Sequence, residues 1–74
     1  MVKYEVVYMK LIEVTKEVVV GRNNPTLVKT FLNIDNIIYF YKNDAGSIIQ
    51  TVDGDRMWVA EAPERIKKRI EDGT

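Results

Sequence analysis

Chemistry in this 74-residue chain would have to come from carboxylates, lysines, arginines, tyrosines and one serine, Ser47, because the sequence contains no histidine and no cysteine. That removes the commonest general base, the commonest nucleophile pair and the two best transition-metal ligands. Asp53-Gly54-Asp55, with Asp44 on a neighbouring turn, could offer oxygens to Mg²⁺ or Ca²⁺. A calcium loop needs more oxygens at fixed spacing, so these residues read as a hairpin turn with solvated acids. Arg65, Lys67, Lys68 and Arg69 form a basic cluster, yet Glu61, Glu64, Glu71 and Asp72 surround it. It reads as a solvated helix face. Were nucleic acid the ligand, Lys67, Lys68 and Arg69 would supply the phosphate contacts. Trp58, beside Met57, has the area to anchor a partner, but in so small a chain it is expected in the core against Ile66 and Ile70. No catalytic constellation, metal site or cofactor site emerges, and the expectation is a protein that is not an enzyme.

The elements that would position these residues are legible from turn chemistry. Asn43-Asp44-Ala45-Gly46 and Asp53-Gly54 supply turn-forming residues between three runs rich in Ile, Val and Tyr. The runs are Ile37–Tyr41, Ser47–Val52 and Arg56–Ala60, and they predict an antiparallel meander. Pro63 suits the first position of a helix, Glu61 and Glu64 stand near its start, and Lys67, Lys68 and Arg69 in its later turns. Ala62, Ile66 and Ile70 recur every four residues and give one narrow apolar stripe, while Glu64 with Lys68 and Lys67 with Glu71 are spaced to pair on the outer face. Gly73 is expected to end this helix. On the Ile37–Tyr41 strand both sides are apolar, with Tyr39 and Tyr41 on one and Ile38 and Phe40 on the other, so the pattern alone does not say which is buried.

Upstream, Val2–Val14 alternates imperfectly, leaving apolar residues on both sides of a long strand. Such a strand is covered twice within its domain, or once by the domain and once by another chain. Tyr4, Val7, Met9 and Leu11 are therefore the candidate interface of a homo-oligomer. Glu17–Val20 reads as a second short strand, turned back through Thr15-Lys16, and Arg22–Thr26 as a loop around Pro25. Leu27–Leu32 resumes as extended chain, and Asn33–Asn36 as one tight turn feeding the Ile37 strand.

The whole predicts a single α+β domain spanning residues 1–74, a small antiparallel sheet of four or five strands with one C-terminal helix packed on one face. Eleven basic and eleven acidic residues cancel, which removes the long-range field that brings proteins to phosphate backbones. Nucleic acid is accordingly disfavoured as a partner. No apolar run approaches the ~20 residues needed to span a bilayer, so no membrane insertion is expected. A cysteine-free domain of this size fits a reducing compartment, and a cytoplasmic location is expected.

The stretch from Ile12 to Ile70 resembles the FlbD-like small bacterial proteins, on Ile12, Val14 and Thr15, then Leu32-Asn33, Ile37, Ile49, Asp53-Gly54, Val59, Glu61, Ile66 and Ile70. Two departures stand out: a longer segment between Lys16 and Phe31, and an N-terminal extension from Met1 to Tyr8. The Ile-rich strand, hairpin, Asp-Gly turn and helix also look like the front half of LytTR-type DNA-binding domains. The first resemblance implies a small accessory protein associated with flagellar function. The residues themselves point to a non-catalytic protein-interaction or scaffolding module that self-associates, with a nucleic-acid-binding module using the C-terminal basic helix as the alternative.

Overall fold

The computed structural model of the chain describes residues 10–19, 21 and 24–72. They form a five-stranded, wholly antiparallel sheet and one C-terminal helix, the predicted α+β architecture. The strands are β1 (Leu11–Val18), β2 (Thr26–Asn33), β3 (Ile37–Asn43), β4 (Gly46–Thr51) and β5 (Arg56–Val59), and the helix α1 is Pro63–Asp72. A single 3₁₀ turn, Ile34–Asn36, joins β2 to β3, and the Asn33 side chain caps it by accepting from the Asp35 amide. The spatial order is β2-β1-β5-β4-β3. The predicted meander β3-β4-β5 is thus present, and a β1–β2 hairpin joins it beside β5.

That hairpin corrects the sequence reading. No turn occurs at Thr15-Lys16: β1 runs through both residues, pairs with β2 from Leu11↔Asn33 to Val18↔Thr26 without interruption, and takes in Glu17 and Val18 of the strand expected separately at Glu17–Val20. Thr and Lys sit comfortably in extended chain, whereas the turn-forming residues lie further on, with Gly21 at φ 67° and Pro25 just before β2.

The core lies between the sheet and α1. Ile12 and Val14 of β1, Leu32 of β2, Ile49 of β4, Val59 of β5 and Ile66 of α1 are all buried, with Ile34, Ile37, Phe40, Met57 and Ile70 packed around them. Each such side chain contributes roughly 1.5–3 kcal/mol when fully buried. Strand β4 shows the two-residue period most cleanly, with Ser47, Ile49 and Thr51 buried and the residues between them turned outward. On α1 only part of the expected stripe is inside. Ile66 is buried and Ile70 half-buried, but Ala62 is exposed and lies just ahead of the helix, where its carbonyl accepts from Arg65 and Ile66. Lys67 and Glu71 pair at 3.9 Å, and Gly73 lies outside the described residues.

A register shift between Ile37 and Tyr39 settles which face of β3 is inside. Ile37 pairs with Thr51 and Tyr39 with Gln50, so Ile38 is the extra residue of a bulge and is exposed, Phe40 turns inward, and Tyr39 and Tyr41 turn outward.

Candidate interaction surface

Where β5 ends, the edge of β1 is completed by side chains. The Glu61 carboxylate accepts from the Thr15 amide at 2.8 and 3.0 Å and from the Thr15 hydroxyl at 3.0 Å, while Ala60 donates its amide to the Thr15 carbonyl. Arg69 reaches across from α1, donating to the Glu13 carbonyl at 2.5 Å and to Glu61 at 2.8 Å. The buried Ser47 hydroxyl donates to the Glu61 carbonyl at 2.7 Å. Burial alone would raise the Glu61 pKa, but the Thr15 amide, the Arg69 guanidinium and the Thr15 hydroxyl together hold the carboxyl below its ordinary value. This group is a clasp joining hairpin, meander and helix. Nothing in the sequence marks Glu61 and Arg69 as partners, since the sheet-to-helix turn sets their approach.

The clasp also divides the basic triad. Arg69 is drawn into the fold and Lys67 stands beside Glu71, while Lys68 and Arg69 line a shallow depression with Arg65, Glu64 and Asp72, so the triad is split and its basic groups are interleaved with acids. The acidic turn is likewise occupied internally. The Thr51 hydroxyl bonds the Asp53 carboxylate and holds its pKa below the ordinary value, the Asp55 carbonyl accepts from the Thr51 amide and hydroxyl, and both acids share a depression with Lys16 and Arg56. Among the described residues no group of three or more acidic side chains is placed to hold a metal.

The face of the sheet away from α1 is different in kind. The ladder pairs Leu27 with Glu17, Trp58 with Ile48, and Ile48 with Tyr41, and Glu17 lines one shallow depression with Trp58 and Val19. Leu27, Glu17, Trp58, Ile48 and Tyr41 therefore make a continuous row across all five strands, four of the five residues apolar or aromatic. Trp58 is 46% exposed, Leu27 58% and Tyr41 43%. Tyr39 extends the row sideways, its ring centroid 6.0 Å from that of Tyr41. Trp58 is thus not in the core against Ile66 and Ile70. It pairs with Ile48, one position out of phase with the buried Met57 and Val59 side of β5, and strand alternation turns it outward.

Of the interface residues expected from the sequence, Leu11 is half-exposed at the start of β1, and Tyr4, Val7 and Met9 lie outside the described residues. From Glu13 to Lys16, β1 is not a free edge, because β2 takes one side and β5, Glu61 and Arg69 the other. No helix among the described residues is long and apolar enough to cross a membrane. No protein-family model matches this chain, and neither a curated protein nor a solved structure matches it.

Proposed function

We propose that this domain is a non-catalytic protein-interaction module that self-associates, using the sheet surface opposite its helix. The observation that carries this reading is the run Trp58, Ile48 and Tyr41 with its neighbour Tyr39, and Leu27 beyond Glu17, in which Trp58, Tyr41, Tyr39 and Leu27 are exposed and Ile48 is half-buried on one face. Exposed apolar residues scattered singly need no explanation, but a contiguous patch marks a contact site. Tryptophan and tyrosine are also the side chains that most often anchor such contacts, because each combines a large apolar area with a polar tip. Several of the carboxylates and hydroxyls are engaged in holding the fold: Glu61 with Arg69 and Thr15, Ser47 with the Glu61 carbonyl, and Thr51 with Asp53.

Sedimentation velocity of the full chain over a range from micromolar to millimolar tests it. The expected outcome is a mass that rises with concentration to at least twice that of the monomer. A monomer at every concentration overturns the reading.

A further inference from the structure

The backbone of β2 defines where a second copy would meet the first. Thr15 gives its amide to Glu61 and takes the Ala60 amide on its carbonyl, so both groups point away from β2 and Thr15↔Lys29 is a non-hydrogen-bonded pair. Antiparallel alternation fixes the rest. The N–H and C=O groups of Leu27, Lys29 and Phe31 point away from β1, and those of Val28, Thr30 and Leu32 point toward it. Among the described residues no strand pairs with that outward edge. The edge is only lightly defended, by the single lysine near its middle. Its sequence, Thr26–Asn33, contains no proline, no glycine and no bulge against β1, and carries one charge, on Lys29. Natural sheet edges are ordinarily blunted by such devices, as β3 is at the opposite edge, with its bulge after Ile37 and Lys42 near its end.

We propose that a second copy of this chain pairs with β2 along this edge, antiparallel about a two-fold axis through Thr30, so that the two sheets become one. The proposal rests on the self-association reading above and adds to it a second contact, the β2 edge, which doubles the sheet and leaves the outer row open for the face contact. Charge selects the register. An axis through Lys29 sets the two ammonium groups against each other, and like charges directly opposite are destabilising. An axis through Val28 shortens the ladder to Thr26–Thr30. The axis through Thr30 uses Leu27–Asn33 and puts Lys29 opposite the partner's Phe31, where an ammonium and a ring face attract. Glu13 flanks Phe31 on β1 and lies 3.7 Å from Lys29. Acid, ring and cation therefore alternate across the junction. In the same register Leu27 meets the partner's Asn33, beside the partner's Leu11, and the row of Tyr41, Ile48, Trp58 and Leu27 continues onto the second copy.

The absence of cysteine makes the test direct. In Thr30→Cys the two thiols would face each other at a non-hydrogen-bonded pair, about 4.5 Å between Cα atoms, within disulfide reach. In Val28→Cys they would be offset by roughly 13 Å along the strands. Mild oxidation of the full-length variants, read by intact mass, should cross-link Thr30→Cys at least tenfold more than Val28→Cys. Lys29→Pro removes an outward amide, leaves the β1–β2 ladder its hydrogen bonds, and should weaken dimerisation at least tenfold with an unchanged circular dichroism spectrum. Preferential cross-linking of Val28→Cys overturns the register. Dimers of the unmodified chain that persist in folded Lys29→Pro, with no cross-link in Thr30→Cys, overturn the edge while the self-association reading stands. A chain that is monomeric throughout overturns both.

Discussion

The β1–β2 hairpin and the β3–β4–β5 meander are both antiparallel and both divide their apolar side chains between core and outer face, but the aromatic residues are concentrated on the meander, and the hairpin's exposed apolar residues are aliphatic apart from Phe31. In the meander half, Ile49 and Val59 are buried against Ile66, and Ser47 and Thr51 are buried with their hydroxyls satisfied. The hairpin buries Ile12, Val14 and Leu32 at the end near the 3₁₀ turn, while Leu27, Val28 and Phe31 remain in water. Among the described residues, direct strand pairing between the halves is Lys16↔Val59, and the Glu61–Arg69 clasp supplies much of the remainder. Hydrophobicity in this chain thus serves two ends: one set of residues from both halves closes a core around the helix, and another stays outward, as Leu27 and Phe31 on the hairpin and as Trp58, Tyr39 and Tyr41 on the meander.

The sharpest way to break the junction is Gly46→Ala. A Cβ at Gly46 would stand 2.2 Å from the Val59 carbonyl oxygen and 2.7 Å from atoms of Ala60, all backbone, so β5 would be pushed off the β3–β4 turn just before it delivers Glu61. The expected loss is about 3 kcal/mol, seen as a lowered urea midpoint, and an unchanged midpoint would show that β5 has room to move.

Removing the clasp itself should cost less. Glu61→Ala leaves the Thr15 amide without its acceptor and is expected to destabilise by about 2 kcal/mol. It should also change the response to pH. Because the folded-state pKa of Glu61 lies below its ordinary value of 4.5, the unfolded chain takes up a proton more readily. Its stabilisation is therefore complete above about pH 4.5 and is lost as pH falls through the folded-state pKa. Urea titrations at pH 7 and pH 3.5 should show a larger fall in the parent than in Glu61→Ala, and equal falls would remove Glu61 from the acid response.

The smallest effect is expected on the outer row. Trp58→Ser alters a side chain that does not enter the core, so folding stability should change by about 0.5 kcal/mol or less. A loss several times larger, measured at concentrations where the chain is monomeric, would mean that the outer face is structural and the contrast between the two sets of residues is false.

The sequence by itself determined the local structure. The Asn43–Gly46 and Asp53-Gly54 turns, the three meander strands and the helix beginning at Pro63 follow from residues that favour particular backbone angles, and those preferences act within a few neighbours. The reversal after β1 was misplaced because apolar residues on both sides of the strand hid its continuation through Thr15-Lys16. Tertiary structure alone decided three further matters. The bulge after Ile37 chose Phe40 over the tyrosines for the inside, because one inserted residue inverts a two-residue period and only the partner strand reveals it. The ladder with β4 placed Trp58 outside, although its size argued for the core. The close pass of β5 over Gly46 brought Glu61 to Thr15, 46 residues away along the chain, and let Arg69 complete the clasp. Contacts at that separation depend on register and strand order, which no local preference encodes.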